Sequence, residues 1–326
     1  LDLQAEEGLR IARELAADSD VVIQNFKVGG AEKLGLGYEQ LQALNPRLVY
    51  CSISGYARFT PEAQRPGYDL VVQGESGVMA TNGEYGQGPL KFGVAAVDMF
   101  TGMYSAQAIL AALFARQHSG QGRHVQMALY DCGVMITSYY GMEALLKNGD
   151  PPKFGNAHPS IVPYGVFEAA DGPLVITVGN NGQFQRFCQD VIQRPDWAAD
   201  ERFATNTGRS AHRELLLPQI RQALQGFTRA ELLERLVRAQ IPCGEVLGML
   251  DALQSERTAQ AGLLHRYDDA EAGTQAVLAP PYAMDGQRLP VRRPPPHLGE
   301  HTHSVLQELL QLDTAALAAL QENGVI

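Results

Sequence analysis

Three observations predict an α/β fold with a parallel sheet in the first half of the chain and a smaller α+β domain after it. Helical stretches alternate with short β-branched or aromatic runs from residue 9 to about 150, the pattern of strands joined by helical crossovers. VVIQNF (21–26) and RLVYCSIS (47–54) are apolar enough to be strands covered on both faces, with YEQLQALN as a helix between them, and such strands belong to parallel sheets. The 326 residues exceed the roughly 250–300 at which one hydrophobic core stops growing, so two domains are expected.

The elements follow in order. LDLQAEEGLRIARELAADSDVVIQNF reads as the end of a strand, a turn, an amphipathic helix and a strand beginning near Val21;. It has no initiator Met and starts inside an element, so further N-terminal sequence is expected to precede it. TGMYSAQAILAALFARQ (101–117) is apolar nearly all round, which predicts an interior helix. HVQMALYDCGVMITSYYGMEALLKN gives a strand running into another helix. GDPPKFGNAHPSIVPYG (149–165) is rich in Pro, Gly and Asn and reads as loop;.

VFEAADGPLVITVG then reads as a hairpin turning at Asp171-Gly172;. Helices follow in NGQFQRFCQDVI, SAHRELLLPQIRQALQGF and TRAELLERLVRAQ, the last opening with Thr228 and Glu231 at capping-box spacing;. LLHRYDD and TQAVLAPPY are candidate late strands, and RLPVRRPPPHLGEHT is a proline-stiffened connector before a final helix around 302–322;. The expected organisation is a large domain over 1–150, a connecting loop over 151–165, a small domain over 166–290, and a connector with a C-terminal helix over 291–326 returning to the large domain.

Composition narrows the function. Charged residues at 19% and apolar residues at 45% describe an ordinary globular chain;. A net charge of −10 argues against nucleic acid or an anionic membrane as partner, since both need a basic surface. Cys51, Cys132, Cys188 and Cys243 form no CxxC pair, so zinc-ribbon and thioredoxin-type chemistry are not suggested, and buried free thiols in a reducing compartment fit. No apolar run is expected to approach the roughly 20 residues that span a bilayer, and the first residues lack the features of a signal peptide. A cytoplasmic protein is the expectation.

Between Lys91 and Arg116 the only charged side chain is Asp98, set in KFGVAAVDMFTG. A helix starting near residue 99 makes Asp98 its N-cap, where free N–H groups hold a carboxylate ionised. Capping explains the residue, and so does a nucleophile with a depressed pKa. RPGYDLVVQGESG (65–77) places Tyr68 and Asp69 after a Pro-Gly turn; packing and capping explain both, and a ligand role is the alternative. QNFKVGGAEKLGLGYEQL (24–41) sets Lys27 and Lys33 around a Gly-Gly turn at the carboxyl end of a strand, where phosphates are held in open α/β sheets; solvated lysines are the plainer reading. GLG and GNNG do not complete a dinucleotide fingerprint, and no P-loop is present;. His297, His301 and His303 have no Cys partner in sequence and stand in what reads as a helix entry, so no metal is assigned to them;. Asp131 reads as a helix cap. His158 stands in a loop suited to contact a ligand.

Taken together, IQNFKVGGAEKLGLGYEQLQALNPRLVYCSISGY, RPGYDLVVQGESG, KFGVAAVDMFTGMYSAQAILAALFARQHSGQG, GNAHPSIVPYGVF, IPCGEV and PPPHLGEHT resemble the family III CoA-transferases, also called the CaiB/BaiF family. The resemblance runs along the whole chain. It implies a Rossmann-like large domain, a smaller second domain and an interlocked homodimer that moves coenzyme A from an acyl-CoA, succinyl-CoA being one candidate, to a small carboxylic acid. It implies that Asp98 is the nucleophile, and that Asn25, Phe26, Lys33, Tyr68 and Asp69 belong to the coenzyme A site. The related racemases carry His where this chain has Tyr68, and Tyr, with a pKa near 10, is a poor substitute base. An α-methylacyl-CoA racemase-like enzyme and a non-catalytic CoA-binding protein are the rival readings.

SGYARFTPE departs from the Gly-rich turn usual in relatives, while NAHPSIVPY resembles members acting on dicarboxylic acids, with His158 or Ser160 meeting the second carboxylate. The implied chemistry passes through an aspartyl anhydride and an aspartyl-CoA thioester, with no tightly bound cofactor and no metal. Backbone N–H groups at the helix start or in the 158–162 loop are the expected oxyanion donors, and the apolar surroundings of Asp98 are expected to exclude water.

Overall fold

Val21–Gln24 (β1), Val49–Ser54 (β2) and His124–Ala128 (β3) form a parallel sheet in the order β1-β2-β3. In register, Val21 faces Val49 and Tyr50 faces His124. The computed structural model that contains this sheet describes residues 1–326. Its contacts divide them into two units: Leu1–Lys153 with Pro296–Ile326, and Phe154–Pro295. A mixed α/β fold with a parallel sheet is thus what the chain adopts.

Parallel strands need crossovers, and helices supply them. Glu6–Ala17 (α1) precedes β1, and Gly30–Lys33 (α2) and Tyr38–Leu44 (α3) link β1 to β2. Asp69–Glu75 (α4), Val78–Thr81 (α5) and Ala96–Ser119 (α6) link β2 to β3, which runs directly into Leu129–Lys147 (α7). The period-two alternation of β2 splits its side chains between two layers. Leu48 and Tyr50 pack with Ala16 of α1 and Leu41 of α3. Val49 and Cys51 pack on the other face against Ile109 and Ala112 of α6. Each fully buried aliphatic side chain of this kind contributes about 1.5–3 kcal/mol.

Two expectations about α6 are corrected. The helix is not interior: its sheet-facing side is covered, but Met99, Met103, Leu110 and Phe114 are 57–66% exposed. One sheet can cover only one stripe of a helix, so apolar residues all round leave the far stripe bare. By length and composition the 24 residues of α6 are also apolar enough to cross a bilayer, against the expectation that no run approached that length. Packing of Ile109 and Ala112 on the sheet accounts for part of that apolar character.

Other differences are local. Asp131 lies in the first turn of α7, whose cap is Ala128. The final helix is two, Thr302–Leu310 and Thr314–Glu322, broken where Gln311 takes φ 56. Asp313 starts the second by accepting the Ala316 N–H at 2.8 Å. Leu306, Leu317 and Leu320 pack around Ile11 of α1.

In the second unit the hairpin Tyr164–Ala169/Gly172–Thr177 turns at Asp171-Gly172 and takes Cys243–Glu245 as a third antiparallel strand. Leu174 and Ile176 bury one face of it with Leu216, Ile220 and Leu232 from the following helices. The capping box forms as its spacing predicts: the Glu231 N–H donates to Thr228 Oγ1 at 3.3 Å and the Thr228 N–H to Glu231 Oε2 at 2.8 Å. Leu264–Asp269 and Gly273–Leu278 pair as a late antiparallel hairpin. Residues 154–163 pack within this unit, where Val162 is buried and its carbonyl accepts from Arg209 Nε at 2.7 Å.

Candidate active site

Each strand of the parallel sheet ends at the same cleft. Asn25 and Phe26 follow β1, Gly55 follows β2 and Leu129 follows β3, and all four line a cleft of about 620 Å³. Ligands of open α/β sheets bind beyond the carboxyl ends of the strands. Lys27, Arg65, Tyr68, Asp98, Thr101 and Gly102 complete the wall. Two loops cross there with no side chains between them: a Cβ on Gly55 would lie 2.7 Å from Gly67 Cα, so glycine is required for the close approach.

Asp98 reaches the cleft from the third position of α6, not from its cap. The capping group is Asp69, at the first position of α4: its Oδ1 accepts the Val97 N–H at 2.8 Å and the Asp98 N–H at 3.2 Å. The positive end of the helix is therefore already occupied by a different carboxylate. This reverses the expected electrostatics, because partial burial and the neighbouring Asp69 charge push the Asp98 carboxyl up, not down;. No cation holds it. A carboxyl so placed is more basic than an ordinary aspartate, which in its ionised form suits attack on an acyl carbon;.

Two further expectations meet a different geometry. Five of the N–H groups expected as oxyanion donors are engaged: Val97 and Asp98 donate to Asp69, Ser160 and Ile161 donate to His158 Nδ1 at 3.1 and 3.2 Å, and Val162 donates to Asn206 Oδ1 at 3.1 Å. Nor do the neighbours of Asp98 keep it dry, since Val94 and Met99 are 62% and 59% exposed and Asp98 itself opens to the cleft. A flanking run of apolar residues seals a site only when something packs over it.

The remaining sequence candidates divide. Asn25, Phe26 and Tyr68 line the cleft with Asp98. Lys33, at the end of α2, does not; Lys27 does, and its ammonium makes no hydrogen bond or ion pair. Asp69 lies behind the wall, bonded to backbone. His158 and Ser160 belong to the second unit. There His158 Nδ1 accepts two backbone N–H groups, which assigns the proton to Nε2 and makes that nitrogen a donor suited to an anion.

Sequence reasoning missed one residue outright. Gln73, 1% exposed, donates to Asp69 Oδ2 at 2.6 Å. Its spacing of four from Asp69 on a helix was the available signal. Arg65, the second cation of the wall, is committed elsewhere, since it pairs with Glu75 and Glu62 and lies 4.8 Å over the Tyr56 ring. A basic carboxylate and one unengaged lysine in a single cleft can attack an acyl group while holding the anionic part of its carrier.

Known proteins are similar to this chain along most of its length. The profile of CoA-transferase family III matches residues 1–302. The chain is 40% identical over 317 residues to succinate–glutarate CoA-transferase of Agrobacterium fabrum, covering 97% of this chain and 78% of that protein. It is 31% identical to human succinyl-CoA:glutarate CoA-transferase, covering 100% and 74%. Among solved structures, a CaiB/BaiF family protein from Brucella suis superposes with a TM-score of 0.82 at 38% identity, covering 94% of this chain and 80% of that one. With a profile that spans most of its length and relatives matched over 97% and 100% of it, the chain belongs to CoA-transferase family III, the CaiB/BaiF family.

Proposed function

We propose that the protein moves coenzyme A from succinyl-CoA to glutarate or a similar dicarboxylate, with Asp98 as nucleophile. The observation that carries the assignment of Asp98 is its carboxylate in the cleft beyond the strand ends, raised in pKa and unpaired with any cation. The substrate class rests on the likeness to enzymes that act on succinate and glutarate.

Asp98 attacks the thioester carbonyl, the C–S bond breaks, and coenzyme A leaves as thiolate, giving an acyl-aspartyl anhydride. The thiolate attacks the Asp98 carbonyl carbon and expels the donor acid, leaving an aspartyl-CoA thioester. The acceptor carboxylate attacks that thioester and releases the thiolate again. Attack of the thiolate on the acceptor carbonyl forms the new thioester and returns Asp98 as carboxylate. Each step exchanges one carboxylate or thiolate for another, so the sequence needs neither metal nor bound cofactor.

Within this reading Asn25, Phe26, Lys27 and Tyr68 hold coenzyme A. His158 Nε2 and Ser160 are assigned to the second carboxylate of the acceptor. Lys27→Ala is expected to raise KM for succinyl-CoA about tenfold with little change in kcat, the loss of one charge-assisted phosphate contact. Lys33→Ala is expected to change KM far less, because Lys33 lies outside the cleft wall. Steady-state kinetics of the two variants check the contrast.

A Rossmann-like large domain in an interlocked homodimer completes the reading. The bare apolar stripe of α6, together with Met135, Met142, Leu145 and Leu146 of α7 at 58–88% exposure, supports a covering subunit that also shields Asp98 from water. The unpaired cysteines support a reducing compartment, and we place the enzyme in the cytoplasm;. The deciding experiment incubates the protein with succinyl-CoA, traps the acyl-enzyme with hydroxylamine and locates the modification by mass spectrometry. A hydroxamate on Asp98 is expected, and modification of another residue instead overturns the assignment.

A further inference from the structure

We propose that Gln73 is a positioning residue for the transfer reaction, acting through Asp69 on the turn that presents the nucleophile; the proposal rests on the assignment of Asp98. The Gln73 amide is buried and joins three segments. Its Nε2 donates to Asp69 Oδ2 at 2.6 Å and lies 3.5 Å from the Val94 carbonyl, and its Oε1 accepts the Phe92 N–H at 2.9 Å. The other oxygen of Asp69 accepts from Val97 and Asp98. One amide thus fixes α4, residues 92–94 and the first turn of α6 relative to one another.

Packing does not do this in its place. Phe92 and Val94 are 37% and 62% exposed, so polar bonds hold the segment leading into Asp98. Both Asp69 oxygens are used, and the carboxylate cannot turn without breaking a bond on one side. During transfer the Asp98 carboxyl carbon must take an acyl group, pass to a thioester and return, each time within bonding reach of a bound thiolate. A displacement of about 1 Å costs on the order of 100-fold in rate.

The test is a swap of donors and acceptors. Asp69→Asn keeps an oxygen for Val97 and Asp98 but sets an NH₂ group against the Gln73 NH₂ group. Gln73→Glu keeps an oxygen for Phe92 but sets it against Asp69 Oδ2. The double variant Asp69→Asn/Gln73→Glu again opposes one donor to one acceptor.

Each single variant is expected to lose about 100-fold in kcat with KM for succinyl-CoA within about threefold of the parent, and the double variant to recover at least about tenfold of the loss. Asp69→Asn is also expected to move the acid limb of the pH–rate profile to lower pH, because it removes the negative charge beside Asp98. The other charged groups lining the cleft, Lys27 and Arg65, and the titratable Tyr68 are unchanged in that variant.

Singles that keep kcat overturn the proposal. So does a double variant that fails to fold or does no better than the poorer single. If a single variant fails to fold, the double variant alone decides. Asp98→Asn, run alongside, separates the two assignments: its activity would remove the nucleophile itself, whereas its inactivity beside active singles removes only the positioning role.

Discussion

Replacing Asp98 by asparagine is expected to lower kcat for exchange between succinyl-CoA and glutarate by about 10⁴-fold or more, since a neutral amide cannot form the anhydride. The fold gives no reason for the variant to be less stable. The Asp98 N–H still donates to Asp69, the side chain makes no ion pair, and the substitution removes a charge that Asp69 repels;. A melting temperature at or above that of the parent, with loss of turnover and of hydroxamate trapping, is therefore the expected combination. A variant that turns over at the parental rate would take the chemistry away from this residue.

The pH dependence has a definite sign. With Asp98 as the proposed nucleophile, only its ionised form attacks, so activity should be lost as pH falls through its pKa, which partial burial and Asp69 push up. The acid limb of kcat/KM should lie above the range of an ordinary aspartate.

Strand content was legible because VVIQ and VYCSIS are short apolar runs with a helical stretch between them, and the cleft followed from where such strands end. The single acid between Lys91 and Arg116 singled out Asp98 without a structure. What the sequence did not contain was the partner of the helix start. Asp69 and Val97 are 28 residues apart, and no local pattern announces that a carboxylate from one helix caps another. For that reason the capping role went to the wrong aspartate, and with it the direction of the pKa shift. The choice of Lys27 over Lys33 had the same origin. Both flank one Gly-Gly turn, and only the course of the chain after β1 decides which faces the cleft. The exposed stripe of α6 was illegible for another reason: composition reports that a helix is apolar all round, but not how many neighbours one chain can set against it.

The largest expected effect on stability lies in the second unit, at Arg209. This guanidinium is fully buried with no carboxylate beside it. It is held by neutral acceptors: Nε donates to the Val162 carbonyl at 2.7 Å, Nη1 to the Phe203 carbonyl at 3.0 Å and to Asn181 Oδ1 at 3.2 Å, and the Phe184 ring lies 4.4 Å from the charge. Burial pushes its pKa down to about 10, so it stays charged at neutral pH. Arg209→Met removes the donors and leaves the two carbonyls unpaired in the core, a loss of about 3–5 kcal/mol.

For a unit of this size that corresponds to a fall of about 10 °C in the melting temperature by calorimetry. Arg209→Lys should recover less than half of the loss, because an ammonium cannot reproduce the planar fork that serves three acceptors at once. The effect should also reach the loop that carries His158 and Ser160. Asn206 donates to the Ser160 carbonyl at 2.6 Å and accepts the Val162 N–H, so Arg209 and Asn206 fix both ends of the segment from Ser160 to Val162. If His158 and Ser160 receive the acceptor acid, Arg209→Lys at a temperature where it is folded should raise KM for glutarate more than KM for succinyl-CoA. Equal changes in the two constants would detach that loop from acceptor recognition.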